Sequence, residues 1–172
     1  MEPAAGPPPG PPERPSAPDW LSGAWWRTRL VLDGRVVRHA GIAVWVHDGA
    51  SFLDLRGPGP TGLCGPRIFA GTTSWAAPHL RWHHRFDSVA GVEDLDVGRV
   101  VLRNDGELVA TGVFPGPDGS LSYRERWDRL LGPSDVTVRV DASGVHATSS
   151  RPLPLEIRLH LPSHPQQRQR EH

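Results

Sequence analysis

The sequence predicts a single antiparallel β-barrel of the up-and-down type, with about eight to ten strands and little helix. Short segments of alternating apolar and polar residues recur at nearly regular intervals along the chain. Asp-Gly turns follow several of them, at Asp33-Gly34, Asp48-Gly49 and Asp105-Gly106. No segment keeps an apolar period of 3.6 residues, which argues against long helices. The edge strands of such a sheet would expose unpaired backbone groups, and closing the sheet into a barrel removes these edges. A two-sheet sandwich is the alternative.

Each predicted strand is an alternating segment bounded by Gly, Pro, Asn or Asp. In chain order the strands are expected at residues 21–32, 35–47, 51–56, 67–75, 79–87, 99–103, 107–113, 120–130, 136–141, 145–149 and 155–161. A single helical turn is expected near residues 92–96 or 129–132. Proline is absent from most strand interiors, as a hydrogen-bonded ladder requires.

The composition changes at both ends of the chain. Residues 1–18 are rich in Pro, Gly and Ala, and they predict a disordered arm rather than a signal peptide. Residues 162–172 are polar and predict a disordered tail, which leaves residues 19–161 for the barrel. No apolar stretch approaches the roughly 20 residues that span a bilayer, so we expect a soluble, cytoplasmic protein without a membrane partner.

Composition excludes several kinds of chemistry. All 19 basic residues are arginine, so no lysine is present for a Schiff base or a P-loop. The abundance of Arg, Gly and Pro is typical of a GC-rich bacterial genome. The one cysteine, Cys64, excludes an intrachain disulfide and is expected to be a surface thiol. A formal net charge of zero predicts no nucleic-acid partner, and the oligomeric state stays open.

Several short stretches together resemble a known family. They are Gly23-Ala24-Trp25, Trp25-Trp26-Arg27, Val44-Trp45-Val46, Ser51-Phe52-Leu53-Asp54-Leu55-Arg56, Phe69-Ala70-Gly71, Trp82-His83-His84-Arg85-Phe86-Asp87, Asp96-Val97-Gly98-Arg99 and Tyr123-Arg124-Glu125-Arg126-Trp127. The set is similar to bacterial members of the lipocalin-like HRI family of calycin-type barrels, over residues 21–150. The resemblance implies a lipocalin-like barrel whose Trp25 plugs the closed end, but it carries over no catalytic residue. His84 departs from the family, in which an arginine is expected.

Strand parity predicts which side chains line the interior, because neighbours on a strand point to opposite faces. In residues 79–87 the apolar face holds Leu80, Trp82, His84 and Phe86, and it is predicted to face inward. The opposite face, with His83, Arg85 and Asp87, is predicted to face solvent. In residues 120–130 the inward set is Leu121, Tyr123, Glu125 and Trp127.

The third strand is harder to orient by parity. Phe52, Asp54 and Arg56 share one face, which we expect to line the interior. Leu53 and Leu55 share the other, which could pack beneath the N-terminal arm. The predicted ligand-binding residues are Trp45, Phe52, Asp54, Arg56, Trp82, Phe86, Tyr123 and Trp127.

His84 and Glu125 are the predicted catalytic residues. A histidine and a buried carboxylate form a plausible acid/base pair. The alternative is structural: Glu125 and Asp54 would be ion-paired with Arg56, and His84 would be a hydrogen-bonded core residue.

No metal site or cofactor is predicted. His83 and His84 are adjacent on a strand and cannot chelate one ion, and no other metal-ligand spacing appears. Heme held by His84 is the one cofactor that the sequence leaves open.

Two classes of function follow. The first is binding of a small, mostly apolar metabolite in the barrel. The second is a cofactor-free enzyme of the cyclase or isomerase type, acting on a hydrophobic biosynthetic intermediate. A third class is a protein-interacting domain that uses the outer wall and the proline-rich arm.

Overall fold

The computed structural model describes residues 16–57, 66–89, 96–116 and 119–152, with the side chains of residues 114–116 left out of the description. Several sequence predictions lie outside these residues. They are most of the N-terminal arm, Cys64, residues 92–95 of the helical turn predicted near 92–96, the strand at 155–161 and the C-terminal tail.

Eleven strands are described, and eight of them form a closed antiparallel barrel. The barrel strands are β1 (Gly23–Leu32), β3 (Ala43–Asp48), β4 (Ser51–Arg56), β5 (Arg67–Ala76), β6 (His79–Asp87), β7 (Asp96–Leu102), β8 (Leu108–Gly116) and β9 (Gly119–Leu131). The other three are β2 (Arg35–Val36), β10 (Val136–Asp141) and β11 (Gly144–Ser149). Consecutive barrel strands pair in order, and β1 pairs with β9 to close the sheet. The predicted up-and-down barrel of about eight to ten strands is confirmed.

The predicted strand at residues 35–47 is wrong as a single element. It divides into β2 and β3, because His39 and Gly41 between them have φ angles of 57° and 77°. Left-handed backbone of this kind interrupts a β-ladder. The short β2 pairs with the far end of β1, at Val31 and Leu32.

Two apolar clusters lie on opposite faces of the barrel wall. The inner cluster lies inside the barrel, and its residues include Leu21, Trp25, Trp45, Phe52, Leu80, Val100, Leu108 and Trp127. The outer cluster lies outside β3, β4 and β5, where the β10–β11 hairpin covers Val44, Val46, Leu53, Ile68 and Ala70. Leu53 and Leu55 therefore pack under this C-terminal hairpin, which replaces the predicted N-terminal arm.

A β-bulge in β6 makes two of the predicted side-chain orientations wrong. Ala70 pairs with Phe86 and Gly71 with His84, so Arg85 is the extra residue. Its insertion reverses the inward and outward directions of the side chains that follow it on the strand. Phe86 packs into the outer cluster, and the predicted inward orientation of Phe86 is wrong. The side chain of Asp87, predicted to face solvent, is instead buried beside His84.

Gly71 is the residue that lets the bulge form. A Cβ at this position would overlap the carbonyl oxygen of His83, on the bulged strand opposite. Close approach of two backbones is the reason for a glycine inside a strand.

Candidate functional site

The closed end of the barrel is built around Trp25. Its Nε1 donates to the carbonyl oxygen of Leu21 at 2.8 Å, and the Arg129 guanidinium lies over its ring, 4.1 Å from the centroid. Arg129 also donates to the backbone carbonyls of Trp20 and Ser22, at 2.6 and 2.8 Å. These contacts fix the turn that precedes β1 across this end. Trp25 is fully buried, as the plug position requires.

Above the closed end lies a group of four rings, here called the aromatic layer: Trp45, His47, Trp82 and Trp127. Trp45 is central, with ring centroids at 5.8 Å from His47, 5.9 Å from Trp82 and 6.1 Å from Trp127. His47 is fully buried, and its Nε2 lies 3.0 Å from the Thr73 hydroxyl. Burial lowers the pKa of His47 to about 4, so its imidazole is neutral at physiological pH. The aromatic layer is therefore uncharged.

The next level toward the other end, the mouth, is an ionic layer of Arg27, Asp54, Arg56 and Glu125. Nη1 of Arg27 donates to Oε1 of Glu125 at 2.8 Å. Arg56 holds Asp54 through two hydrogen bonds of 2.9 and 3.1 Å, and its Nη1 lies 3.6 Å from Glu125. Two arginines and two carboxylates thus form one chain of ion pairs inside the barrel. The Arg56 side chain is 24% exposed, so solvent reaches this layer from the mouth.

Burial shifts the ionisation of this layer. Burial raises the pKa of the Asp54 carboxyl, and the adjacent Arg56 guanidinium opposes that rise. Burial alone would lower the pKa of Arg56, but the carboxylates of Asp54 and Glu125 outweigh it and raise that pKa. Arg56 is therefore a permanent cation.

A second charged group, here called the His84 cluster, completes the mouth with His84, Asp87, Asp96 and Arg67. His84 Nε2 lies 3.0 Å from Asp96 and Nδ1 lies 3.2 Å from Asp87. Arg67 donates two hydrogen bonds to Asp87, from Nε to Oδ1 at 3.1 Å and from Nη2 to Oδ2. Burial would lower the pKa of His84, but its hydrogen bonds to Asp96 and Asp87 outweigh that effect and raise it. Because both ring nitrogens face carboxylates, the doubly protonated imidazolium fits this position best.

Phe69 joins the two charged groups. Its ring stacks on His84 at a centroid distance of 4.8 Å and an interplanar angle of 15°. The guanidinium carbons of Arg56 and Arg67 lie 5.1 and 4.8 Å from the same centroid. Cations over an aromatic face are attracted by its quadrupole. The ring therefore holds three basic groups in fixed positions around the mouth.

Tyr123 lies across two glycines of neighbouring strands. A Cβ at Gly98 or Gly112 would come within 2.7 or 2.6 Å of the Tyr123 hydroxyl oxygen. The phenol can adopt this position only because both strands lack a side chain there. Burial raises the pKa of Tyr123, and the carboxylates of Asp96 and Glu125 add to the rise, so the hydroxyl stays protonated. Both charged groups thus act on the same phenol.

Most of the sequence-predicted residues come together in the interior. Tyr123 and Trp82 pack against the inner cluster, to which Phe52, Trp45 and Trp127 belong. Glu125, Asp54 and Arg56 meet in the ionic layer, whereas His84 lies in its own cluster. Phe86 does not line the interior, because it packs into the outer cluster.

Sequence reasoning missed Arg27, Arg67, Asp87 and Asp96. Arg27 could have been found, because it stands two residues after the inward-facing Trp25 on the same strand. Asp87 could not, because the bulge reverses its orientation.

Other classes of site find no support in the described ranges. Within them, no group of three or more His, Cys, Asp or Glu residues could hold a metal ion. No helix in the described part of the chain is long and apolar enough to cross a membrane.

A scan of the chain against protein-family models finds no match, and searches of curated proteins and of solved structures find none either. The roles of the site residues therefore rest on their geometry.

Proposed function

We propose that the barrel binds a small, mostly apolar molecule, which enters at the mouth and lies against the interior aromatic rings. One observation carries this proposal: eight charged side chains are paired inside the mouth, where a purely structural barrel would bury apolar ones. Buried ion pairs add little net stability, because desolvation offsets their attraction. Their retention next to solvent-accessible Arg56 is better explained by recognition of a ligand. The lipocalin-like HRI resemblance points the same way.

The proposed ligand contacts are those that the sequence indicated, without Phe86. The apolar body of the ligand would lie against Trp45, Phe52, Trp82, Tyr123 and Trp127, and its polar end against Asp54 and Arg56. The proposal includes no cofactor or heme, because both nitrogens of His84 are occupied by carboxylates.

Fluorescence titration with the neutral apolar dye N-phenyl-1-naphthylamine tests this proposal. Saturable binding is expected, with quenching of the protein's tryptophan emission. Trp82→Ala should weaken binding by about tenfold, which corresponds to roughly 1.4 kcal/mol of lost contact. Trp26→Ala is the matched control, because Trp26 is 41% exposed on the outer wall. Absence of binding, or equal effects of the two substitutions, would contradict an interior site.

A second candidate is a cofactor-free cyclase or isomerase, with His84 and Glu125 as acid/base residues. The observation that favours it is Asp96, which lies 3.0 Å from Nε2 of His84 and also raises the pKa of the Tyr123 phenol, so one carboxylate acts on two potential proton donors. Incubation of the protein with small-molecule extracts of the source cells, followed by mass spectrometry, separates the two functions. A binder retains a compound unchanged and in stoichiometric amount. An enzyme consumes one, and His84→Ala or Glu125→Gln should slow that consumption by about 10²-fold.

A further inference from the structure

Three buried nitrogens of the aromatic layer have no hydrogen-bond partner within the described residues. They are Nε1 of Trp45, Nε1 of Trp127 and Nδ1 of His47. Both tryptophans are only 2% exposed and His47 is fully buried. An unsatisfied buried polar group is costly, and tryptophan in a core normally finds an acceptor for its N–H. Three such groups lie together in the aromatic layer, so this layer needs a physical explanation.

The closed end supplies the comparison. There the N–H of Trp25 is equally buried and donates to a backbone carbonyl at 2.8 Å. The chain can thus satisfy an interior indole when the position serves packing alone. Trp45 and Trp127 lie next to each other, and the N–H of each lacks an acceptor among the described residues. This difference from Trp25 points to an acceptor supplied by a bound molecule.

The surroundings restrict the chemistry of that acceptor. Indole N–H groups only donate, so they need an oxygen or nitrogen lone pair. A carboxylate would be a buried anion without a counter-charge, because His47 is neutral and the nearby Arg27 and Arg56 already pair with Glu125 and Asp54. A neutral carbonyl oxygen satisfies the donors at no such cost.

We propose that the aromatic layer is a receptor for the carbonyl oxygen of a neutral apolar ligand, such as a ketone, ester or quinone. The proposal rests on the proposed binding function and specifies its ligand class. The carbonyl end of the ligand lies deep, at the indole N–H groups of Trp45 and Trp127, and the remainder extends toward the mouth. The indoles therefore select for the carbonyl, and the rings around them bind the apolar body.

Two probes that differ mainly in the carbonyl test this proposal: 2-acetylnaphthalene and 2-ethylnaphthalene. Binding is followed in the full-length protein by NMR of ¹⁵N-labelled tryptophan, in which each indole N–H gives one signal. Trp45→Phe and Trp127→Phe assign the two signals. The acetyl compound should bind roughly 2- to 10-fold more tightly, the effect of one neutral hydrogen bond. It should also shift the Trp45 or Trp127 proton downfield, whereas the ethyl compound should not.

Trp25 is the internal control, because its N–H already has an acceptor. Its signal should not move with either probe. Trp45→Phe should bring the affinity ratio of the two probes close to one if Trp45 is the main donor, and Trp127→Phe should do so if Trp127 is. If both substitutions destabilise the fold, the shifts of the wild-type indole signals still test the carbonyl receptor.

Each outcome is informative. Equal binding of both probes without a selective downfield shift overturns the carbonyl receptor and leaves the barrel a ligand-binding protein. Indole protons that are already hydrogen-bonded to water in the free protein and unchanged by 2-acetylnaphthalene also overturn it. Failure of both naphthalenes and of the neutral dye to bind overturns the proposed function as well.

Discussion

The pKa values of the two interior histidines are shifted in opposite directions in the two halves of this barrel. His47 lies in the aromatic layer among neutral groups, and burial lowers its pKa to about 4. His84 lies near the mouth between two carboxylates, which raise its pKa despite burial. Both are well buried, so burial alone does not decide their charge. The presence or absence of counter-charges on the neighbouring strands decides it.

The same difference divides the interior into two functional regions. The half near the closed end is neutral and aromatic, and it suits the apolar part of a ligand. The half near the mouth is charged but internally paired, with four cations facing four carboxylates when His84 is protonated. Under the proposed binding function, a ligand that enters at the mouth would pass the charged half before it reaches the neutral one. The predictions below test this division.

The largest effect is expected from Arg27→Met in the ionic layer. The substitution removes the 2.8 Å partner of Glu125 and leaves a buried carboxylate with one distant cation. The free energy of unfolding should fall by about 3–5 kcal/mol, as when one partner of a buried pair is removed. Urea unfolding measures this change.

Arg29→Met is its matched control, because Arg29 lies on the same strand but is exposed. Its effect should stay within about 0.5 kcal/mol. The double variant Arg27→Met/Glu125→Gln should recover part of the loss. Equal effects of the two single substitutions would mean that the ionic layer is solvated like the surface.

Acid should destabilise the protein through His47. The unfolded chain binds a proton near pH 6.5, but the folded protein does not until about pH 4, so stability falls as the pH drops through that interval. The full loss is about 3 kcal/mol. Thermal unfolding at pH 4 to 7 measures it, and His47→Gln should flatten the curve in this range. A wild-type curve that already lacks this slope would contradict a neutral aromatic layer.

Thr73→Val should cost about 1–2 kcal/mol, because it removes the hydroxyl 3.0 Å from His47 Nε2 and leaves that buried nitrogen unpartnered. Thr111→Val on the outer side of β8 is a suitable control. The control should change the unfolding free energy by less than about 0.5 kcal/mol. A Thr73→Val protein as stable as the control would show that His47 has no need of this partner.

The smallest effect is expected from His84 at alkaline pH, because solvent reaches Asp96 and screens its charge. Its folded-state pKa is raised above 6.5, so its stabilising contribution is complete below that value and is lost as the pH rises through the raised pKa. Thermal unfolding above pH 6.5 should therefore show a modest decline that His84→Gln abolishes. A decline of equal size in the variant would assign it to another group.

Much of the fold could be predicted from alternation and turn residues, because both depend on local backbone geometry. The bounds of β4, β6 and β10 agree with the sequence prediction to the residue. Parity correctly oriented Trp82, His84, Tyr123 and Glu125. It failed at Phe86 and Asp87, because a bulge depends on the backbone of the opposing strand at Gly71, which no pattern within β6 records.

The candidate site was predicted less completely than the fold. The structural alternative, in which Glu125 and Asp54 pair with Arg56, agrees with the observed ion pairs. It did not include the closer partner of Glu125, which is Arg27 on the strand that closes the barrel. Asp96 precedes the strand predicted at 99–103 and so had no assigned face. Ion-pair partners come from strands far apart in the sequence, and a strand pattern specifies a face but no partner.

The pairing of the first and last barrel strands has a consequence for biosynthesis. Arg27 and Glu125, which face each other across this seam, are separated by 98 positions in the chain. Contacts so distant in sequence make folding slow, because a long loop must close before they form. During translation the seam must stay open until β9 has left the ribosome. The edge of β1 that pairs with β9 would stay exposed throughout that time, which makes it the segment where we expect a chaperone to bind the nascent chain.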